Sequence, residues 1–259
     1  AYLDRLIDAG IAPTLLNNVH LSILPDSENV FASFDELKHL QAANPLRYGD
    51  VNLVGTIKAE PAYATLERLS HPQVVGARIV LHDARPETVS DTQFSDGQWS
   101  AFYGRLLARQ HLHIYAKEAE TNLRVLRQIP RGVRVIIDHL GTCHRERDIT
   151  EPAYIALLAE ARERGNVWFK GPGYRTSVHP EETARFVTQI VRAVGAGKIL
   201  LSATDAPHVG TDNQGVPYSD LFDLSKAFNF VDAVAHYVSK ETRIPVGQLL
   251  RGASGQLVS

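Results

Sequence analysis

The chain has 259 residues, of which 44% are hydrophobic, and a formal net charge of −2. Length and apolar fraction suffice for one large α/β core or two smaller ones. A pI near 6.6 leaves no basic footprint for nucleic acid, and no apolar run approaches the roughly 20 residues that span a bilayer.

Residues 1–10 (AYLDRLIDAG) are amphipathic and carry acids, unlike a secretory leader. Cys143 is the one cysteine, which excludes an internal disulfide and fits a reducing, cytoplasmic setting. Methionine is absent throughout, including at position 1, so the chain is expected to be less than the whole translated product.

In chain order, helix-like and strand-like patterns alternate, the signature of βαβ units and a parallel sheet. Helices are predicted over Ala1–Ala9, Phe34–Ala43 (with Ser33 as cap), Ala62–Leu69, Asp96–Gln110, Thr121–Gln128, Pro152–Arg164 and Pro180–Val194. Strands are predicted over Thr14–His20, Val51–Thr56, Val74–Leu81, His111–Ala116, Val133–His139, Asn166–Lys170 and Ile199–Thr204. Gly10, Gly165 and Gly195 stand where helices stop. Residues 216–259 read as helical, clearest over Phe222–Tyr237, and are expected to pack outside a single barrel domain spanning 1–259. An alternation of this length closes most simply as an eight-stranded (β/α) TIM barrel. Closure needs every strand, so the first strand is expected to precede Ala1. An open doubly wound sheet, which tolerates seven strands, is the alternative.

Two apolar runs, VRVIIDHLG (133–141) and KILLSATDAPH (198–208), stop abruptly at ionisable residues. Strands buried on both faces read as continuous hydrophobics, and polar groups at their carboxyl ends lie where a ligand sits. On the barrel reading, the strand ends bring together His20, Lys58, Arg78, His82, Asp83, Arg85, Tyr115, Lys117, His139, Lys170, Arg175, Asp205 and His208. Such a mixture of carboxylates, imidazoles and guanidinium groups suits hydrolysis of a small anionic substrate.

Asp205 can act as general base or metal ligand; as a residue before Ala-Pro it can also simply form a turn. His139 can polarise a carbonyl or shuttle a proton, and it is preferred over Asp138, whose side chain points the opposite way in a regular strand. Arg78, Arg85 and Arg175 can hold carboxylates bidentately, or serve as surface ion pairs. Tyr115 can donate to an oxyanion or to a backbone carbonyl. Cys143 lacks the partners of a thiol nucleophile. No G-x-S-x-G, P-loop or G-x-G-x-x-G is present.

Together, IIDHLG (136–141), NVWFKGPGYR (166–175) and ATDAPH (203–208), with GARIV (76–80) and HIYAKE (113–118), resemble the amidohydrolase superfamily. The similarity is to its amidohydrolase 2 branch, which holds the 2-pyrone-4,6-dicarboxylate lactonases. The resemblance implies a (β/α)8 barrel that hydrolyses a lactone, amide or related bond. It implies that Asp205 activates the attacking water and His139 polarises the scissile carbonyl. Arg78, Arg85 and Arg175 would clamp substrate carboxylates, with Tyr115 and His208 lining the pocket. Some members bind one divalent metal, zinc or manganese, for which Asp205 would be a ligand; the lactonase branch works without it. The His-x-His pair that ends the family's first strand is missing. His111-Leu112-His113 has the spacing but begins a later strand, so the pair too is expected upstream of Ala1. Three readings follow: a metal-free lactonase, a metal-dependent hydrolase or decarboxylase, and a non-catalytic anion-binding barrel. The exact substrate and the oligomeric state are not legible.

Overall fold

The computed structural model describes residues 2–8, 10–13, 19–21, 28–81, 84–143, 148–201 and 214–253. In chain order its elements are α1 (Tyr2–Asp8), β1 (Val19–Leu21), α2 (Glu28–Ala43), α3 (Pro45–Tyr48), β2 (Leu53–Lys58), α4 (Leu66–Leu69), β3 (Val74–Leu81) and α5 (Gly97–Arg105). These are followed by β4 (His111–Ala116), α6 (Ala119–Gln128), β5 (Arg134–Ile137), α7 (Pro152–Arg164), β6 (Val167–Lys170), α8 (Pro180–Val194) and β7 (Ile199–Leu200). Helices α9 (Tyr218–Leu221), α10 (Leu224–Thr242) and α11 (Val246–Arg251) complete them. No helix among the described residues is long and apolar enough to cross a membrane.

The strands pair in parallel and in chain order, β1 through β7. Their residues alternate between two environments. Leu53 and Ile57 of β2, Ala77 and Ile79 of β3, Leu112 and Ile114 of β4, Val135 and Ile137 of β5, and Val167 and Phe169 of β6 enter the main hydrophobic core. The residues between them (Thr56, Arg78, His111, His113, Lys170) are buried and polar. Ile136 and Trp168, with Ala253 and Leu200, form a separate apolar cluster on that second face.

The sheet curls around the polar face. In a flat sheet, β1 and β4 would lie about 14 Å apart, three strand spacings. Yet the ring centroids of His20 on β1 and His111 on β4 are 5.6 Å apart. Sequential parallel strands curling with helices outside are the barrel architecture that the alternation predicts.

Helices α7 and α8 and strands β3 and β4 occupy their predicted spans; other boundaries move, for identifiable reasons. Helix α2 starts at Glu28 rather than Phe34, and Ser33 does not cap it: its hydroxyl donates to the Asn29 carbonyl within the helix (2.8 Å). Helix α5 is capped by Asp96, which accepts from Gln98 N and Trp99 N (both 2.9 Å), but stops at Arg105 instead of reaching Gln110. The Gln110 amide donates to the carbonyls of Leu69 (2.6 Å) and Val74 (3.0 Å) and so belongs to the β-strand entry. Only Leu66–Leu69 is helical within the predicted Ala62–Leu69, because Thr65 caps there, accepting from Arg68 N (3.3 Å). The predicted strands at Thr14–His20 and Ile199–Thr204 lie partly outside the described residues.

Two buried polar side chains fix the loops at the carboxyl ends of the strands. Asn122 of α6 donates to Ala116 O (3.1 Å), Glu118 O (3.2 Å) and Gly141 O (3.0 Å), tying the end of β4 to the segment after β5. The Thr176 hydroxyl donates to His139 O (3.1 Å) and Thr142 O (2.6 Å), tying the loop after β6 to the same segment. Gly173 has φ +92, and a Cβ there would lie 2.5 Å from Thr183 Cγ2 and 2.9 Å from Leu140 Cδ1, so a side chain has neither the backbone conformation nor the space.

Replacing Asn122 with alanine removes these bonds and leaves two buried carbonyls poorly satisfied. The expected loss is about 2 kcal/mol of unfolding free energy, read from urea melts. A change below about 0.5 kcal/mol would remove Asn122 as the tie.

Candidate active site

The second face of the sheet gathers charge at one level. Asp138, the residue after β5, is buried (1% exposed) and sits among cations and imidazoles. Its Oδ2 is in contact with Nη2 of Arg78 on β3, and lies 3.4 Å from His113 Nε2 on β4 and 3.9 Å from His139 Nε2. Its Oδ1 lies 3.7 Å from Lys170 Nζ on β6. Burial alone would push this carboxyl up. Electrostatic interaction with Lys170, followed by that with His139, His113 and Arg78, outweighs burial and holds the group well below the usual carboxylate range.

The sequence prefers His139 to Asp138, and the structure turns both side chains toward this cluster. Asp138 has the same strand parity as Ile136 and therefore continues the inward series. His139 reaches the site by a different route, because the chain leaves the strand there: His139 has φ +46 and Leu140 φ +58. The turn is held by Asp138 Oδ1, which accepts from His139 N (3.2 Å). Both side chains thus converge.

Tyr115 and Arg78 complete the cluster. The Tyr115 ring lies edge-on to His139, with centroids 4.8 Å apart, and the Arg78 guanidinium stands 5.3 Å from the Tyr115 ring centre. Register explains the meeting: Arg78 pairs with His113 across β3 and β4, one inward position below Tyr115.

The surroundings of the other expected members differ. Arg175 is buried and packs over the Tyr218 ring at 5.2 Å. Arg85 is exposed where the chain enters a 3-10 turn, its carbonyl accepting from Thr88, and among the described residues no contact joins it to the Asp138 cluster. Lys58 pairs with Glu60 at 2.5 Å. Asp205, His208, His82 and Asp83 lie outside the described residues.

Beneath Asp138 three imidazoles meet, His20, His111 and His113, with ring centroids 5.6–6.4 Å apart. Both nitrogens of His111 and Nε2 of His20 are sealed from solvent without a hydrogen-bond partner among the described residues. Burial pushes His20 and His111 well below the usual histidine value, and lowers His113 to about 4 despite the opposing pull of Asp138. The rings are neutral at pH 7. In the sequence, the parity shared by His111, His113 and Tyr115 signals this inward placement.

Asp205, the expected metal ligand, is not among the described residues. Among those that are, no three His, Cys, Asp or Glu side chains converge to hold a metal ion. Asp138 is already engaged by Arg78 and Lys170, whose fixed charges repel a divalent cation. The described residues by themselves therefore do not make a metal site.

Comparison with known proteins agrees with the geometry. The amidohydrolase family model matches residues 26–236. The chain belongs to the amidohydrolase family. It is an enzyme of hydrolase type, as the sequence motifs predict. Among solved structures, a probable 2-pyrone-4,6-dicarboxylic acid hydrolase from Acinetobacter baumannii, with citric acid bound, is 15% identical. The alignment covers 98% of this chain and 87% of that one, with a TM-score of 0.66. A zinc-bound amidohydrolase from Burkholderia multivorans is 15% identical over 99% and 87% of the two chains (TM-score 0.65). A 5-carboxyvanillate decarboxylase from Sphingomonas paucimobilis is 13% identical over 99% and 81% (TM-score 0.52). At these identities the likeness is one of fold. No curated protein matches the sequence.

The neutral histidines set the acid limb of stability. Their folded pKa values lie below the unfolded value of 6.5, so the unfolded chain binds more protons as pH falls below 6.5. Stability is therefore lost in that direction and flat above it. Asp138, whose stabilisation disappears only below the ordinary carboxylate range, contributes nothing to this window. Between pH 6.5 and 5.5 the expected loss is about 1 kcal/mol for each ring, measured by urea unfolding; a flat profile would contradict neutral burial.

Proposed function

We propose that this amidohydrolase opens a small carboxylated lactone or cyclic ester by attack of water. The observation that carries the reading is the convergence of Arg78, Tyr115, His139 and Lys170 at the carboxyl ends of β3 to β6. This is a buried cluster with two cations to one carboxylate and with proton donors beside it. Such a place favours an anionic ligand and strengthens every charge interaction within it.

In this mechanism Asp205, which follows β7 in sequence, takes a proton from water as its oxygen bonds to the carbonyl carbon. His139 and Tyr115 donate hydrogen bonds to the developing oxyanion. The ring C–O bond then breaks, the departing oxygen receives the proton, and a hydroxy acid results. Arg78 and Arg175 hold the substrate carboxylates, with Arg85 and His208 at the rim. Full-length Asp205→Asn should lower kcat on 2-pyrone-4,6-dicarboxylate at least about 100-fold. Turnover near the parent value would remove Asp205 from the mechanism.

The zinc in the Burkholderia neighbour raises a second reading, a metal-dependent hydrolase or decarboxylase in which Asp205 binds zinc or manganese. The cationic surroundings of Asp138 favour the metal-free one. Dialysis against EDTA is expected to leave turnover within about twofold, since no proton or charge transfer above requires a Lewis acid. Activity lost on chelation and restored by zinc or manganese would reverse the order. Citrate binding by calorimetry without turnover of any lactone would identify an anion-binding barrel instead.

A further inference from the structure

No strand carries a carboxylate among the described residues, whereas the inward face carries Arg78 and Lys170, 6% and 8% exposed. These cations come from β3 and β6, with two strands between them. Buried like charges repel and swing apart unless something fixes them. Asp138 lies between the two: one oxygen meets the Arg78 guanidinium and the other faces Lys170 Nζ at 3.7 Å. That second oxygen also accepts the His139 backbone N–H at 3.2 Å, closing the left-handed turn that aims the imidazole at Tyr115.

We propose that Asp138 is a positioning residue: it clamps the Arg78 guanidinium and the turn presenting His139, and does not itself touch the substrate. An ion pair with a buried carboxylate restrains the Arg78 guanidinium, so an incoming carboxylate meets it in a preferred plane. The carbonyl-polarising imidazole is set by the same side chain, so anion binding and chemistry share one reference point. The proposal rests on the hydrolase reading for what Arg78 and His139 do, but not for where they are held.

The test is Asp138→Asn, which keeps the shape and removes the charge. The proposal expects kcat on 2-pyrone-4,6-dicarboxylate to fall on the order of 100-fold, the usual effect of misplacing a catalytic group by about 1 Å. KM should rise in the same variant, because the guanidinium that receives the carboxylate loses its fixed plane. A loss confined to KM, or kcat within twofold of the parent, would overturn it. The second measurement needs no substrate and reads the parent chain, with Arg78→Lys used only for assignment. In the parent chain, 15N NMR should resolve slowly rotating Arg78 Nη–H resonances, assigned by their disappearance in Arg78→Lys. Their absence from the parent spectrum overturns the clamp. If they are present but the parent hydrolyses no lactone, the clamp stands and the hydrolase reading fails.

Discussion

Burying ions costs several kcal/mol each, even after relaxation, and this sheet buries three of them within one cluster. The balance among Arg78, Asp138 and Lys170 is the condition under which a polar face can exist inside a curled parallel sheet. Removing one partner would strand the others in a medium where water cannot compensate them. The neighbouring imidazoles take the other route and give up their charge. The concave face therefore holds charge at one level and neutral polar rings directly below it.

The same strands serve two environments, and their alternation shows how. Leu112 and Ile114 face the helices while His111, His113 and Tyr115 face inward. Each inward side chain is thus anchored by outward apolar neighbours one position away. The loops receive separate fixing from Asn122 and Thr176, whose bonds converge on the segment 139–142. Orientation at the site comes from packing on the outside and hydrogen bonds at the rim.

Much of this was legible in the sequence. Val74–Leu81 is an apolar run interrupted once, at Arg78, and His111–Ala116 sets His, His and Tyr at alternate positions; the structure reproduces both spans as strands. Gly165 and the Pro152 and Pro180 helix starts were equally readable. The inward role of Asp138 was missed because a regular strand forces a choice between positions 138 and 139. The left-handed backbone at His139 escapes that choice, and no local propensity announces a histidine there. The end of α5 was misjudged because Gln110 makes contacts from sequence positions 41 and 36 residues away. Arg85 reads like Arg78 in composition, yet only Arg78 sits on a strand. Exposure was decided by register, which a single chain of letters does not contain.

At the level of the imidazoles, β5 and β6 present hydrocarbon instead: Ile136, paired with His113, packs with Trp168, Leu200 and Ala253. Lys198 and Arg134 lie against the Trp168 ring, at 3.8 Å and 5.2 Å from its centre. An indole braced in this way is a greasy plug, and solvent gains nothing by wetting it. The indole thereby gives the polar face a dry boundary on the side of β5 and β6.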